Sequence, residues 1–260
     1  MVSTVSRSNV ARVSLAASAV VLVVAGATAC GASAGDDEHP DHRTFALQGK
    51  TLTVDSDDSA LEIVAADANP AGKVEVTRWW QGSVAIGKGP KVSWSMKDDR
   101  LTLRMTCSGI VTDCSAKHRI EVPRGVRVKV EDRDGSVRAR GFQDALTIRT
   151  DDGSVHVSDS TGPLTLHSAD GSVHAAVSSR QVRAETSDGA VHLELGAVPD
   201  LVDAGSKDGS VTIALPRSTY RVTARTGDGS VDVSVPRSDS SPHVVSARTS
   251  DGKVTVKSAN

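Results

Sequence analysis

The residues in this sequence that are best able to do chemistry recur at a nearly constant spacing. Seven Asp-Gly pairs, each followed by a small residue or Lys and then by Val, begin at intervals of 18, 18, 18, 20, 20 and 23 residues. Three of the Val residues are followed by histidine, at His156, His174 and His192. Aligned carboxylates could bind calcium, and neighbouring imidazoles could bind zinc or copper. The pairs are Asp134-Gly135, Asp152-Gly153, Asp170-Gly171, Asp188-Gly189, Asp208-Gly209, Asp228-Gly229 and Asp251-Gly252.

The surrounding residues argue against both metal sites. Calcium-binding β-rolls repeat the pattern G-G-x-G-x-D-x-U-x, and the segments "DGSVHVSDS" and "TGPLTLHSA" do not contain it. Arg138 and Thr212 flank the histidine row, and no Cys lies near enough to complete a zinc site. We predict no metal and no cofactor, with calcium on the Asp column and a transition metal on the His column as the alternatives. The histidines would form a solvated surface row, or a pH-responsive patch.

Repetition has a structural explanation, because a catalytic group is needed once whereas a corner is needed in every repeat. Asp can hydrogen-bond the backbone two residues further on in an Asx-turn. Gly can take a positive φ without a steric penalty. The residue two before each Asp is Ser or Thr in six of the seven repeats. We therefore predict that the Asp side chains cap chain-reversing corners.

The segments on both sides of each corner read as half-buried β-strands. Apolar residues alternate with polar ones, as at Leu164 and Leu166 before the corner and at Val173 and Ala175 after it. A meander of hairpins would satisfy this pattern, but stacked coils explain why equivalent positions carry the same residue. The prediction is an all-β, single-stranded parallel β-solenoid of 18–23 residues per coil. It would be a right-handed β-helix by the general preference of parallel crossovers.

Length variation falls on the connection opposite the Asp-Gly corner. This connection reads "GFQDA" at 141–145 and is longer at Pro236–His243. A variable edge of this kind is either a binding surface or a place that tolerates insertions. The last repeat carries Lys253 and Lys257, which are typical of an exposed edge strand.

The N-terminus reads as an export signal. Arg7 and Arg12 precede an apolar run that ends in small residues before Cys30. This pattern predicts a signal peptide at 1–29, a lipidated Cys30 followed by a flexible linker (30–43), a β region at 44–131 that caps the array, and the solenoid at 132–260. A secretory signal cut nearby and an uncleaved anchor are the alternatives. The protein would then be anchored to the outer face of the cell membrane through its N-terminal lipid.

Two further groups belong to the N-terminal β region. Cys107 and Cys114 are close in sequence, and in an oxidising compartment they would form a disulfide. Trp79, Trp80 and Trp94 are the only tryptophans. They would form an apolar cap for the thin array, or an exposed surface that stacks on sugars or lies at a membrane.

The segment "HRIEVPRGVRVKVEDRDGSVRARG" (118–141), followed by repeated "T-x-D-G-S-V-x-V", resembles the toast-rack family of bacterial β-strand-repeat "putative adhesins". The resemblance covers about residues 44–260. It implies an exported or membrane-attached envelope protein with a parallel β-solenoid and no known enzymatic activity. The family offers no catalytic residues to assign to this chain.

The net charge of -2 does not indicate a nucleic-acid partner. No G-x-S-x-G, H-E-x-x-H, Walker or Rossmann pattern is present. Our first hypothesis is a non-enzymatic envelope lipoprotein whose solenoid surface binds a protein or a glycan. The alternatives are an enzyme acting on surface polysaccharide and a structural or stress-sensing envelope component.

Overall fold

The computed structural model describes residues 34–67 and 70–259. The predicted signal peptide and Cys30 lie outside the described residues. After one turn of 3₁₀ helix at Ala34–Asp36, these residues form β-strands, and none of their helices is long and apolar enough to cross a membrane. The first strands are β1 (Asp41–Ala46), β2 (Thr51–Ser56), β3 (Ser59–Ala66), β4 (Lys73–Lys97), β5 (Arg100–Pro123) and β6 (Arg127–Asp132).

Short strands of similar length follow, two for each Asp-Gly corner. They are β7 (Val137–Arg140), β8 (Leu146–Thr150), β9 (Val155–Ser158), β10 (Leu164–Ser168), β11 (Val173–Val177), β12 (Gln181–Thr186) and β13 (Val191–Leu195). The C-terminal part contains β14 (Leu201–Gly205), β15 (Val211–Leu215), β16 (Arg221–Asp228), β17 (Val231–Val233), β18 (Val244–Asp251) and β19 (Val254–Ser258).

Equivalent strands of successive coils pair in parallel and in register. We call the strands that enter the corners the entry face (β2, β6, β8, β10, β12, β14, β16 and β18). The strands that leave them form the exit face (β3, β7, β9, β11, β13, β15, β17 and β19). On the exit face Val173 lies between Val155 and Val191, and on the entry face Leu164 lies between Leu146 and Val182. This arrangement confirms the predicted parallel β-solenoid.

The core is a narrow layer between the two faces. Its side chains come from alternate strand positions and are mainly Val, Leu, Ile and Ala, as at Val155, Ile148 and Ala184, all 0% exposed. Each such Val or Leu contributes roughly 1.5–3 kcal/mol of burial free energy. A coil gains this only when neighbouring coils cover it, and stability therefore grows with stacking.

The coils do not stack in sequence order at the C-terminal end. On the entry face β18 pairs with both β14 and β16, and on the exit face β19 pairs with both β15 and β17. The last coil in sequence is thus inserted between the two coils that precede it. The prediction that Lys253 and Lys257 mark an exposed edge strand is wrong, because the edge strands at this end of the array are β16 and β17.

A long antiparallel ribbon, formed by β4 and β5, completes the N-terminal end. Its two strands are joined at Asp98 and Asp99, which both have positive φ (50° and 58°). A two-residue turn of this kind matches the twist of a hairpin. The start of β5 pairs in parallel with β2 and its end with β3, so this one strand contributes to both faces. β1 adds to the outer edge of β4.

Candidate binding surface

The Asp-Gly corners are held together by buried hydroxyl groups. The Ser168 hydroxyl donates to the carbonyl oxygen of Gly153 in the neighbouring coil (2.9 Å) and accepts a hydrogen bond from the N–H of Gly171 in its own coil (2.9 Å). Thr186 makes the same pair of bonds to Gly171 and Gly189. In six of the seven corners the Ser or Thr two residues before the Asp therefore links adjacent coils, which satisfies backbone groups inside the stack.

The predicted Asx-turn is not what caps these corners. The seven Asp residues are exposed, and none of their carboxylates hydrogen-bonds to the corner backbone of the described residues. A local side-chain bond to the backbone is present as expected, but a hydroxyl supplies it. The recurrence of Ser and Thr at this position was the signal in the sequence.

Close stacking, and not positive φ, explains most of the corner glycines. A Cβ on Gly171 would overlap the carbonyl oxygen of Gly153, and a Cβ on Gly189 would overlap that of Gly171. Among the seven corner glycines only Gly229 and Gly252 have positive φ. Gly is required here because the backbones of adjacent coils approach too closely for any side chain.

The corner Asp residues form an exposed acidic row. Asp152 lies beside Asp134 and Asp170, and a hydrogen bond shared with the Asp134 carboxyl, together with burial and these like charges, raises its pKa. The pKa of Asp58 is raised for related reasons, with burial as the largest cause and Asp134 as its neighbour. Within the part of the chain that the structure describes, no group of three or more His, Cys, Asp or Glu is arranged to hold a metal ion.

Asp132 stands where the other repeats have a buried hydroxyl. It is 7% exposed, and neither carboxylate oxygen has a hydrogen-bond partner of good geometry among the described residues. Burial raises its pKa to about 7. The hydroxyls of Ser56 and Ser59 are also buried there, and neither has a hydrogen-bond partner of good geometry in the described part of the chain. The first corner is therefore the least satisfied of the series.

The three histidines form a stacked row on the outer surface of the exit face. Their ring centroids are 5.7 Å apart between His156 and His174, and 4.6 Å apart between His174 and His192. Partial burial lowers the pKa of both outer histidines, and the charge of Arg138 adds to this at His156. Parallel stacked rings do not converge on one point, as tetrahedral zinc requires.

A shallow groove lies beside this row. It has a volume of about 280 Å³. Its lining includes Glu62, Val64, Arg138, Arg140, His156 and Ala176. It crosses β3, β7, β9 and β11 and so runs along the stack of coils. Sequence reasoning placed the histidines correctly on one surface with Arg138 beside them, but it missed Arg140 as part of the same site.

The longer connections opposite the corners have a structural role. The Tyr220 side chain is buried, and its hydroxyl donates to the carbonyl oxygen of Pro216 (2.8 Å). The Ser241 hydroxyl donates to the carbonyl oxygen of Thr219 (2.8 Å), and the Nδ1 of His243 lies 2.8 Å from the carbonyl oxygen of Pro199. These bonds fix the chain where it crosses to and from the inserted coil.

The tryptophans lie in the N-terminal part and none is fully exposed. Trp94 packs against the core, 6.1 Å from the Phe45 ring, and the guanidinium of Arg78 lies 4.4 Å from its centre. His118 is completely buried nearby, and neither ring nitrogen has a hydrogen-bond partner among residues 34–67 and 70–259. Burial lowers its pKa to about 3. This buried neutral histidine was not identified from the sequence.

The structure contains a disulfide between Cys107 and Cys114, with Cα atoms 6.5 Å apart. Both cysteines belong to β5, although seven residues of straight strand would span about 23 Å. The strand must therefore double back between them. Gly87 and Gly109 face each other within this bend, and a Cβ on Gly109 would overlap the carbonyl oxygen of Ile86.

A family model described as Toastrack DUF4097 matches residues 113–259. A putative cell adhesion protein from Clostridium sporogenes ATCC 15579 is 14% identical, with a TM-score of 0.38 over 85% of this chain and 100% of that chain. A putative adhesin from Bacteroides fragilis NCTC 9343 is 12% identical, with a TM-score of 0.41 over 86% of this chain and 98% of that chain. No curated protein matches the chain.

Proposed function

The chain belongs to the Toastrack DUF4097 family, and we propose that it is an exported, lipid-anchored binding protein of the cell envelope and not an enzyme. Its solenoid would hold an extended polar surface outside the membrane, where a protein or glycan of the envelope binds. Cys30 would carry the lipid, and the residues after it would connect the lipid to the β-structure.

The observation that carries this proposal is the repetition of outward side chains along the coils. The exit face presents the same residue type at the same height in successive coils, as at His156, His174 and His192. Such rows offer many equivalent contacts to an extended partner. Catalysis instead needs different groups that converge on one reacting atom.

The anchoring half of the proposal is tested by labelling cells with a radioactive fatty acid. The unmodified chain should incorporate the label and fractionate with membranes, whereas Cys30→Ala should be unlabelled and released. Cys107→Ala is the matched control for the loss of a cysteine and should remain labelled. Equal labelling of the unmodified chain and Cys30→Ala would contradict lipidation at Cys30.

The binding half is tested with the released Cys30→Ala chain, purified, fluorescently labelled and added to envelope fragments of the producing bacterium. We expect saturable binding that an excess of unlabelled protein displaces. Treating the fragments with protease or with periodate then separates a protein partner from a glycan partner. Binding that never saturates, or that is unaffected by unlabelled competitor, would rule out a specific envelope partner.

A further inference from the structure

The exit face carries two neighbouring rows of outward side chains beside the groove. In-register pairing aligns Glu62, Arg138, His156, His174, His192 and Thr212 in the first row. It aligns Val64, Arg140, Ser158, Ala176, Glu194 and Ala214 in the second. Adjacent rungs of such a sheet are about 4.8 Å apart. The stretch from Arg138 to His192 is therefore roughly 14 Å long.

The two arginines of this surface have no anionic partner within the described part of the chain. Arg138 and Arg140 are exposed and make no ion pair or hydrogen bond with the residues that the structure describes. Glu62, which aligns with Arg138 on the neighbouring strand, is already paired with Arg119 (2.7 Å) and Lys117 (3.3 Å). Two residues apart on one strand, the arginines lie about 7 Å from each other. Their positive charge is available to a ligand.

His156 and His192 extend this charge in a pH-dependent way. Burial lowers the pKa of His156 and of His192, so both rings are neutral at pH 7, and they gain charge as the pH falls. Arg138 and His174 face His156 and oppose its protonation. At His192 the charges of His174 and Lys257 act in the same direction, and only Glu194 favours protonation. An anion bound along the row would offset these repulsions.

We propose that Arg138, Arg140, His156, His174 and His192, here called the cationic strip, bind a linear acidic polysaccharide that carries carboxylates on its sugars, more tightly at mildly acidic pH. This inference rests on the proposed binding function and assigns it a surface and a ligand class. Each guanidinium can hold a carboxylate through two parallel hydrogen bonds. His156 and His192 supply further charge as the pH falls.

The chemistry of the strip favours a polysaccharide over other polyanions. The side chains of Val64 and Ala176 give the groove a partly apolar floor on which a sugar ring can lie. Single-stranded nucleic acids need aromatic side chains for base stacking, and the residues that line this groove include no Phe, Tyr or Trp. A repeating polymer also matches a binding surface whose elements repeat along one axis.

The test uses the released Cys30→Ala chain and polygalacturonate as the probe, with binding measured by calorimetry at pH 5 and pH 7 in low salt. Affinity at pH 5 should exceed that at pH 7 by about tenfold, since the rings of His156 and His192 gain positive charge as the pH falls. Arg138→Gln/Arg140→Gln should lose most binding at both pH values. His156→Gln/His174→Gln/His192→Gln should keep the affinity at pH 7 and lose the increase at pH 5.

Arg149→Gln/Arg183→Gln is the matched control, because it removes the same charge from exposed positions on the entry face. It should bind as the unmodified protein does. Equal losses in both double variants would show that binding follows net charge, and equal affinity for polyphosphate would show that carboxylated sugars are not selected. If polygalacturonate does not bind while saturable binding to envelope fragments persists, this inference fails and the proposed function stands. If both are absent, both fail.

Discussion

The regular coils from β6 to β15 and the C-terminal pair from β16 to β19 use the same corner but stack differently. In the regular coils each corner contacts the corner before it in sequence, as where the Ser206 hydroxyl donates to the carbonyl oxygen of Gly189 (2.8 Å). In the inserted coil the Thr249 hydroxyl makes the same bond to Gly209 (2.8 Å), although another coil lies between them in sequence. The two hydrogen bonds have the same length. The corner motif therefore specifies the shape of a coil but does not specify which coil lies next to it.

The connections opposite the corners determine which coil lies next to which. The segment around Tyr220 carries the chain past the position next to β14 and β15. The segment ending at His243 then brings the chain back to that position, where the inserted coil lies. On the entry face Arg248 of the inserted strand then reaches over Gly205, which has no side chain to block it, to Glu185 and Asp203 (2.5 Å each). Stacking order therefore depends on residues outside the repeated motif.

The largest expected effect comes from removing the inserted coil. Deletion of 236–260 should leave β16 and β17 without a neighbour on either face, so that residues 216–235 become protease-sensitive. The protein that lacks 216–260 ends its array at β14 and β15. It should resist digestion better than the protein that lacks only 236–260, although its chain is shorter. Limited proteolysis with mass spectrometry compares the two. Equal resistance would mean that β16 and β17 do not depend on the inserted coil.

A single methyl group tests whether close corner stacking is required in the regular coils. Gly171→Ala should lower the free energy of unfolding by about 3 kcal/mol, because the new Cβ would overlap a backbone carbonyl oxygen. Gly196→Ala is the control at a connection, where the nearest atom is the Ser178 hydroxyl oxygen (2.8 Å), the end of a side chain. It should cost less than about 1 kcal/mol. Chemical denaturation measures both, and similar costs would refute the stacking explanation.

Asp132→Thr converts the first corner to the hydroxyl type of the others. The pKa of Asp132 is raised from 3.8 to about 7 in the folded protein, so the unfolded state loses this proton first as the pH rises. The free energy of unfolding therefore decreases as the pH rises through this range. The substitution should stabilise the protein at pH 8 by about 2 kcal/mol and by much less at pH 4. Thr150→Asp, the reverse change one coil further on, should destabilise it at pH 8. A benefit of Asp132→Thr that is independent of pH would contradict this account.

The smallest effect is expected from the ion pairs of the inserted strand. Arg248→Ala should reduce the free energy of unfolding by less than about 1 kcal/mol, because all three partners are partly exposed. The loss should shrink further in high salt. Arg225→Ala removes the aligned arginine of β16, which forms no ion pair with the residues that the structure describes, and should have no effect. A loss above about 2 kcal/mol for Arg248→Ala would show that these pairs, and not the connections, fix the stacking order.

The coil was predictable from the sequence because its causes are local and repeated. Alternation at Leu164 and Leu166 gave the strand, and the constant hydroxyl and glycine positions marked the corner. The role of each corner residue was harder to infer, because only the distance between coils shows that Gly171 is needed for space. That distance is set by backbone pairing between segments 18 residues apart.

The inserted coil and the binding groove depend on contacts that no local pattern contains. The spacing of 23 residues before Asp251 signalled an irregularity but not its geometry. His156 could be placed on the outer surface by alternation alone. That Arg138 and Arg140 lack acidic partners follows only from the structure, where Lys117 and Arg119 occupy Glu62.

The inserted coil also constrains the order in which the protein can fold. Chains generally begin to fold at the N-terminus, and coils stacked in sequence order could each dock onto the coil before. Here, among the described residues, the strands within 221–233 pair only with strands of 244–258, which come later in the chain. The penultimate coil in sequence (β16 and β17) therefore cannot dock before the last coil (β18 and β19) is present. The two coils join the array together in the last step of its assembly.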